Sequence, residues 1–479
     1  MSHHTFLIGD VREALATLPD ESVNCVVTSP PYFGLRNYGL EPTVWGGLPT
    51  CAHEWKRARY YTEKSAGRAS GEAFSEAGAD NAQRLKDARW REDDTCQRCG
   101  AWRGDLGLES TPEMYVGHLT EIFREVRRVL RPDGTVWFNI GDSYNGSGGA
   151  GGDYAKGGLK DGQPKFPGRR LSDLKPKDLI GVPWRVAFAL QADGWWLRSD
   201  IVWAKTAPMP ESVTDRPTRA HEYVFLLTKS QRYHYDAEAV AELSVSGDPR
   251  PPQGSDTIRT SGEPHPNKGA RERGPGKWGV RPVGIPGEYE GRGRSPKVGE
   301  GRLTRNMRDV WMLGPEPFSA AHFATFPTEI PRRAIKAGCP ERVCSKCGAP
   351  WARVIARSAR SARSDGGRTH STTEQRLGRT PVPEKGWQVE RTDLGLRPTC
   401  SCENAETRPG VVLDPFGGSG TTSLVAKSLN RDSIYIDLNE TYADMAVKRC
   451  DFNQQTLHIQ HDYEVRKVGE SAGREEAGE

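Results

Sequence analysis

The chain has 479 residues, enough for one large domain with insertions or for two to three domains. Only 35% of the residues are hydrophobic, whereas 53 are glycine and 34 are proline, so substantial stretches of loop or disorder are expected. The 67 basic and 63 acidic residues leave a net charge of +4, and this near balance does not by itself indicate nucleic-acid binding.

No apolar stretch is long enough to span a membrane, and residues 1–9 lack the apolar core of a signal peptide. We therefore expect a soluble, cytoplasmic protein without a membrane partner. Because a reducing compartment keeps thiols free, the ten cysteines are expected to act as metal ligands rather than to form disulfides.

The first elements of the chain are a predicted strand at Thr5–Gly9, closed by Asp10, and a predicted helix at Val11–Leu18. A second buried strand, Val23–Val27, leads directly into the loop Ser29–Tyr32. Two consecutive prolines fix this loop and remove two N–H donors, which leaves carbonyl oxygens exposed beside a hydroxyl group and an aromatic ring. Such a loop can accept hydrogen bonds and stack on a flat group; a rigid polar loop without function is the alternative.

A polar insertion is predicted at Lys56–Asp94, which is rich in Ala, Gly, Ser and charge and has no periodic apolar face. Its ends carry the pairs Cys51-x-His53 and Cys96-x-x-Cys99. Four soft ligands brought together across a loop suit tetrahedral zinc, which would hold the base of the loop together. Buried free thiols beside a surface histidine are the alternative.

The central part of the chain alternates helices and strands. An amphipathic helix is predicted at Met114–Leu130, and the turn Arg131–Gly134 leads from it into a strand at Thr135–Ile140. The glycine-rich loop Gly141–Gly158 starts at a strand end, so it could cover an active site or simply be flexible. A helix at Lys177–Ala192 follows.

An antiparallel hairpin is predicted next, from the strands Trp195–Trp203 and Glu222–Thr228. Beyond it, Ser246–Arg308 holds 13 basic and 7 acidic residues, with Trp278 and Tyr289 among many glycines and prolines. Basic side chains with interleaved rings suit phosphate contact and base stacking, and an unstructured linker is the alternative.

A second set of paired cysteines, Cys344-x-x-Cys347 and Cys400-x-Cys402, flanks a polar insertion that contains Ser358–Arg376. Two close cysteine pairs across an intervening segment form a plausible base of a zinc ribbon.

The remaining cysteines, Cys25, Cys339 and Cys450, are expected to be small core residues. The charged tail after Asn453 is expected to be disordered.

Close to the carboxyl end, Val411–Thr422 reads as a buried strand, an Asp-Pro pair and a glycine turn that opens a helix. A lone glycine turn can merely pack a helix against a sheet. A P-loop is disfavoured, because no Lys-Ser or Lys-Thr follows the last glycine. The strand Ser433–Ile436 ends at Asp437, where a carboxylate can accept hydrogen bonds from ribose hydroxyls. A nucleoside cofactor without a phosphate chain is therefore predicted.

The sequence Ser-Pro-Pro-Tyr at 29–32, together with Asp-Pro-Phe-Gly-Gly-Ser-Gly-Thr-Thr at 414–422, resembles the beta class of S-adenosylmethionine-dependent DNA methyltransferases that modify exocyclic amino nitrogens. The resemblance covers most of Thr5–Ala446 outside the insertions. It implies an α/β fold: a Rossmann-like, seven-stranded, mostly parallel sheet, circularly permuted and entered by the chain at its middle.

The resemblance also implies the site residues. The expected catalytic residues are Ser29, Pro30, Pro31 and Tyr32. The expected contacts of S-adenosylmethionine are Asp10 at the adenine, Asp437 at the ribose, the closing segment Phe326, Pro327 and Glu329, and the turn Asp414, Pro415, Phe416, Gly417, Gly418, Ser419, Gly420 and Thr421 at the methionine end. Lys205 and the loop Asp215–His221 resemble segments that line a target-base pocket.

The expected organisation follows from these motifs and from the changes in composition. In chain order the parts are 1–44 (catalytic half, first part), 45–103 (first zinc insertion), 104–236 (catalytic half, second part), 237–308 (basic target-recognition region), 309–338 (cofactor-closing segment), 339–407 (zinc-ribbon insertion), 408–452 (cofactor-binding half) and 453–479 (disordered tail).

The implied activity is direct methyl transfer to a flipped base of double-stranded DNA. A serine before the prolines resembles the cytosine-N4 enzymes, and adenine-N6 is the alternative. Methylation of cytosine carbon 5 is disfavoured, because the chain has no Pro-Cys dipeptide to supply the nucleophile. A non-catalytic, zinc-containing nucleic-acid-binding protein is the reading from a different class. A partner restriction endonuclease is possible, and the sequence does not indicate the oligomeric state.

Overall fold

The computed structural model of the protein describes residues 2–34, 42–60, 89–146, 174–208, 210–211, 213–243, 304–316, 325–360, 388–403, 406–450 and 461–468. The chain forms two units. The first comprises Met1–Val240, Asn306–Ile355 and Asp393–Glu479, and the second comprises Ala241–Arg305 and Ala356–Thr392.

The strands of the described residues are numbered in chain order: β1 Ser2–Ile8, β2 Val23–Thr28, β3 Thr43–Trp45, β4 Trp55–Tyr60, β5 Arg89–Cys96, β6 Trp102–Gly104, β7 Leu130–Ile140, β8 Trp196–Lys205, β9 His221–Thr228, β10 Glu242–Leu243, β11 Thr304–Arg305, β12 Val310–Leu313, β13 Val343–Cys344, β14 Trp351–Arg360, β15 Gln388–Pro398, β16 Thr407–Arg408, β17 Val411–Asp414, β18 Asp432–Asp437 and β19 His461–Lys467.

The helices of the described residues are α1 Val11–Ala16, α2 Pro112–Val129, α3 Val182–Ala192, α4 Glu329–Gly338, α5 Thr421–Ser428 and α6 Glu440–Cys450. None of these helices combines the length and the apolar character that a membrane span requires. In the second unit, β10 and β11 pair antiparallel.

Nine strands of the first unit form one sheet in the order β12-β8-β9-β7-β2-β17-β18-β1-β19. Neighbouring strands are parallel except at β9, which runs antiparallel to β7 and to β8. The central strands β2 and β17 are buried along their whole length. Strands covered on both faces favour such mainly apolar runs without alternation.

The buried apolar side chains of the described residues form three clusters, and two of them lie on opposite faces of β2. Successive residues of β2 point to opposite faces, as strand geometry requires. Val26 packs in the layer that contains the buried faces of α1, α2 and α3. Cys25 and Val27 pack in the layer beneath α4 and α5. Cys25, Cys339 and Cys450 are all buried.

The α/β fold is confirmed, and the predicted hairpin is the antiparallel pair β8–β9. The expected number of seven strands was wrong, because β12 and β19 extend the two edges of the sheet. Entry at the middle was also wrong: β1 lies second from an edge, and the chain reaches the middle only with β2.

The expectation of disorder after Asn453 was wrong for β19, which pairs in parallel with β1. Charged residues are typical of an exposed edge strand. Here the same charged residues led to the prediction of a disordered tail instead of a strand. The pairing is supported from β1 by Thr5, whose hydroxyl donates to Glu464 Oε1 at 3.0 Å.

Helix α3 begins at Val182, five residues after the predicted start at Lys177. Lys177 has a φ of 70° and Gly181 a φ of 77°, and both values are incompatible with a right-handed helix. Pro183 then occupies the first turn, where its missing N–H costs nothing.

The polar insertions are described only at their bases. Residues 56–60 and 89–94, expected to be mobile, instead belong to β4 and β5, which pair antiparallel. Most of the predicted target-recognition region, the loop 147–158 and the segment Ser361–Arg376 lie outside the described residues.

Two glycine substitutions test the packing of the sheet against its helices. A Cβ atom at Gly338, the last residue of α4, would fall 2.1 Å from Thr135 Oγ1 in the core. Gly338→Ala should therefore lower the free energy of unfolding by about 1–3 kcal/mol through overpacking. Gly117→Ala, at an exposed helical position with no atom within 4 Å, should raise it by about 0.5–1 kcal/mol. Urea midpoints that shift in the same direction would contradict this packing.

Candidate active site

The carboxyl ends of β2 and β17 lie side by side, with Cys25 opposite Val412 and Val26 opposite Leu413. The loops that leave these ends, Ser29–Tyr32 and Pro415–Ser419, open onto one cavity of about 430 Å³. Ligands of open α/β sheets bind at such carboxyl ends. The structure therefore brings together two motifs that are separated by more than 380 residues in sequence.

Most of the predicted cofactor residues line this cavity. They are Asp10, Phe326, Pro415, Phe416, Gly417, Gly418, Ser419, Thr421 and Asp437. Four others are not among the lining residues: Pro327, Glu329, Asp414 and Gly420.

Asp414 lies beneath the glycine turn, not at its surface. Its Oδ1 accepts hydrogen bonds from Thr28 Oγ1 at 2.7 Å and from the Phe416 N–H at 3.2 Å. Burial raises the pKa of this carboxyl to about 6, although the hydrogen bonds from Thr28, Thr422 and Phe416 act in the opposite direction. The carboxylate therefore holds the turn against β2.

Gly420, which precedes α5, has a φ of 75°. A Cβ atom there would lie 2.6 Å from the Cβ of Ala446 in α6. A side chain is thus excluded by both the backbone conformation and the helix packing. Gly420 shapes the turn without lining the cavity.

Asp437 ends β18 and faces the cavity. Its Oδ2 accepts a hydrogen bond from the Gly418 N–H and its Oδ1 one from the Asn439 N–H, each at 2.8 Å. Burial raises the pKa of Asp437 to about 6, and the two backbone N–H groups partly offset this effect. A carboxylate with lone pairs left over can accept further hydrogen bonds from a ligand.

Asp10, at the end of β1, is held by its own helix. Its Oδ1 accepts from the Arg12 N–H at 2.8 Å and so caps α1, and its Oδ2 pairs with Arg12 Nη2 at 2.7 Å. The side chain is 12% exposed and lines the cavity. Asp10 thus lies in the cavity wall, and the sequence analysis did not single out its partner Arg12.

The Ser29–Tyr32 loop takes part in a chain of hydrogen bonds. Ser29 Oγ donates to the Tyr32 hydroxyl at 3.3 Å, and the Tyr32 hydroxyl donates to Glu222 Oε2 at 2.6 Å. Lys205 Nζ donates to Glu222 Oε1 at 2.5 Å, which completes the chain. Burial, followed by the charge of Glu222, raises the pKa of Tyr32 well above its ordinary value. The phenol therefore keeps its proton at neutral pH and donates a hydrogen bond to Glu222.

Sequence reasoning did not single out Glu222 or Asn139, although both line the cavity. Asn139 Oδ1 lies 3.0 Å from the Tyr32 hydroxyl. Glu222 is a charged residue near the start of a strand that is otherwise mainly apolar. Because β9 is antiparallel to β7, its first residues lie beside the last residues of β7, at the same edge as Tyr32.

The predicted metal ligands form two compact groups. The first cluster consists of Cys51, His53, Cys96 and Cys99, and the second cluster of Cys344, Cys347, Cys400 and Cys402. Within each cluster the candidate ligand atoms lie within 4.8 Å of one another. Three sulfurs with one imidazole, or four sulfurs, are donor sets that suit a tetrahedral zinc ion.

Comparison with known proteins shows the family. The model of the N6_N4_Mtase family, described as DNA methylase, matches residues 23–343 and 403–448. The chain belongs to this family. It is therefore a DNA methyltransferase that uses S-adenosylmethionine and acts on an amino nitrogen, and the resemblance seen in the two motifs is confirmed.

Two relatives illustrate the similarity. The type II methyltransferase M.Cfr9I of Citrobacter freundii is 31% identical over 453 residues, which cover 93% of this chain and 87% of the relative. The type II methyltransferase M.SmaI of Serratia marcescens is 30% identical over 451 residues, which cover 92% and 89%. The solved PvuII DNA methyltransferase (cytosine-N4-specific) is 13% identical with a TM-score of 0.41, too distant to support any inference about this methyltransferase.

Proposed function

We propose that the protein methylates the exocyclic N4 of a cytosine at a specific site in double-stranded DNA. The observation that most directly supports this proposal is that the Ser29–Tyr32 loop and the glycine turn line the same cavity. Serine in the first position of the loop favours cytosine, and adenine N6 is the second candidate. Since the relatives M.Cfr9I and M.SmaI are named type II methyltransferases, a restriction endonuclease with the same recognition site is a proposed partner.

The cavity fits the cofactor in size and in chemistry. A volume of about 430 Å³ lies in the range of small-molecule sites, and the wall offers the rings of Phe326 and Phe416. In this proposal Asp437 accepts hydrogen bonds from the ribose hydroxyls and Asp10 contacts the adenine. The turn Pro415–Ser419 holds the methionine end, while Asp414 supports the turn from below.

The target amine is a poor nucleophile, because its lone pair is delocalised into the ring. In this proposal Ser29 Oγ and the Pro30 carbonyl accept the two amino hydrogens and direct the lone pair towards the methyl group. Bound S-adenosylmethionine supplies an electrophilic methyl group. Tyr32 lies beside the flipped base and stacks on it. The nitrogen–methyl bond would form as the sulfur–methyl bond breaks, with S-adenosylhomocysteine as the leaving group, and the nitrogen would lose one of its hydrogen-bonded protons to solvent.

Glu222 has a positioning role in this arrangement. An ionised carboxylate only accepts hydrogen bonds, so it fixes the direction of the chain from Ser29 through Tyr32. The Ser29 hydroxyl therefore donates its hydrogen to Tyr32. The lone pairs of Ser29 Oγ then remain available to accept hydrogen bonds from the substrate. Lys205 holds the carboxylate in place and compensates its charge.

The base choice is tested by analysing the product. DNA from a methylation-deficient host that expresses the protein should contain 4-methyldeoxycytidine, measured by mass spectrometry of the nucleosides. DNA from a host that expresses Ser29→Ala should lack it. Detection of 6-methyldeoxyadenosine instead would reassign the base, and unmodified DNA from cells with folded wild-type protein would refute the function.

The cofactor assignment predicts that Asp437→Asn weakens S-adenosylmethionine binding by about tenfold, because a charged hydrogen-bond acceptor is lost. Asp432→Asn is the matched control, since Asp432 begins the same strand, binds the His3 N–H and does not line the cavity. Calorimetry should give wild-type affinity for this control. Equal affinities in all three proteins would reject the ribose contact.

The same carboxylate predicts a pH dependence. Because the pKa of Asp437 is raised to about 6, the charged acceptor is present above that pH and is lost below it. Wild-type affinity for the cofactor should decrease as the pH falls through about 6, and the Asp437→Asn protein should show a flatter profile.

The positioning role predicts that Glu222→Gln and Tyr32→Phe each lower kcat by about tenfold or more, because the alignment of Ser29 Oγ is lost. Cofactor affinity and thermal stability should change little, and Glu222→Asp should restore part of kcat. Tyr32→Ala should in addition raise KM for DNA, because the stacking ring is removed. A wild-type kcat in both Glu222→Gln and Tyr32→Phe would exclude this role.

A further inference from the structure

The two cysteine clusters contain the same local turn. Each includes the sequence Cys-x-x-Cys-Gly-Ala, at residues 96–101 and 344–349. In the first turn, the Cys96 N–H donates to the Ala101 carbonyl at 2.7 Å and the Gly100 N–H to the Cys96 carbonyl at 3.0 Å. The corresponding distances in the second turn are 2.9 and 2.8 Å. Both turns therefore have the same backbone hydrogen-bond pattern around their two cysteines.

A second pair of ligands completes each turn. Tetrahedral zinc with bonds of about 2.3 Å would separate its sulfur ligands by about 3.8 Å. The candidate ligand atoms already lie within 4.8 Å, so only a small contraction is needed. All eight side chains come from cysteine or histidine, and thiolate-rich sets select zinc over magnesium or calcium.

The first cluster adjoins the wall of the active-site cavity. Gly47, at the turn after β3, has a φ of 76°, and a Cβ atom there would lie 2.8 Å from Cys99 Sγ. Strand β3 pairs with β6, which begins three residues after Cys99, and Trp45 lies opposite Trp102. Thr43 and Trp45 of this strand pair line the cavity, as do Asp105 and Leu106 just beyond β6.

A short series of contacts runs from this wall to the proposed adenine contact. The Arg12 guanidinium lies over the Trp45 ring at 4.0 Å, and its Nη1 donates to the Val44 carbonyl at 3.0 Å. The same guanidinium holds Asp10 through Nε and Nη2. Strand β3 therefore fixes the arginine that orients the Asp10 carboxylate.

The second cluster has no such connection. It lies at β13 and β16, which pair antiparallel, and none of its ligands or of these strands lines the described cavity. Arg131 Nη1 donates to the Cys347 carbonyl at 3.3 Å, and Lys346 Nζ to the Glu403 carbonyl at 2.8 Å. The second cluster is thus an internal control for the first.

We propose that each cluster binds one zinc ion and that the zinc of the first cluster fixes β3, and through Arg12 the Asp10 carboxylate, in the conformation that binds S-adenosylmethionine. The zinc of the second cluster stabilises its own strands and has no part in cofactor binding. The link to the cofactor rests on the proposed position of Asp10 in the binding site.

The test compares three variants in zinc content, by elemental mass spectrometry, and in S-adenosylmethionine affinity, by calorimetry. Wild-type protein purified without chelator should carry two zinc ions. His53→Ala should lose one and bind the cofactor about tenfold more weakly, an effect equal to one charge-assisted hydrogen bond. His53→Cys preserves four ligands and should restore both values. Cys402→Ala should lose one zinc and keep wild-type affinity.

Cobalt substitution of the wild-type chain gives a second measurement that needs no variant. Two thiolate-to-cobalt absorption components, from a site with three sulfurs and a site with four, are expected. Wild-type protein without zinc or cobalt binding would overturn the metal sites. His53→Ala with one zinc and unchanged affinity would overturn the link to the cofactor. Wild-type protein that holds two zinc ions and binds no S-adenosylmethionine would instead refute the proposed cofactor site.

Discussion

One buried hydrogen bond, from Thr28 Oγ1 to Asp414 Oδ1, joins the last residues of β2 and β17 at 2.7 Å. The two residues are 386 positions apart in the chain. The bond fixes the level at which both strands end, so the Ser-Pro-Pro-Tyr loop and the glycine turn leave the sheet together. The same Asp414 oxygen accepts the Phe416 N–H. A single carboxylate therefore sets the geometry between the Ser29–Tyr32 loop and the glycine turn.

Three acidic residues around the cavity have different partners. These partners determine how strongly each carboxylate can attract the hydrogen-bond donors of a ligand. Asp10 is neutralised by Arg12, and Glu222 by Lys205. The hydrogen bonds described for Asp437 come from backbone N–H groups alone. Among the three, Asp437 thus keeps the strongest tendency to attract hydrogen-bond donors of a ligand, while Asp10 and Glu222 are held rigidly by cations.

Local patterns were sufficient to predict the central strands, the two loops and the composition of both cysteine clusters. Val23–Val27 and Val411–Leu413 are mainly apolar runs that prolines follow within three residues, and such signals need no knowledge of the fold. The cysteine pairs were predicted because short spacing already brings two sulfurs together. In the structure, Cys51 and His53 lie beside Cys96 and Cys99, as the sequence predicted. Cys344 and Cys347 likewise lie beside Cys400 and Cys402.

Other features depend on tertiary neighbours and could not be predicted from local patterns. Glu222 reaches Tyr32 only because β9 reverses direction beside β7. Asp414 was predicted to contact the cofactor, but its strand neighbour Thr28 draws it into the sheet. The charged strand β19 forms because β1 offers it a free edge, which no window of the tail sequence contains. In each case the deciding partner is remote in the chain.

The position of β2 has a consequence for biosynthesis. Thr28 of this strand precedes Asp414 of its neighbour β17 by 386 positions, so β2 leaves the ribosome long before β17 is made. At translation rates of about 5–20 residues per second, one edge of a buried strand waits for about 20–80 s before its partner exists. An open edge of this kind can pair with another chain. We therefore expect the exposed edge of β2 to need protection, from chaperones or from early packing of α1 and α2, until β17 inserts.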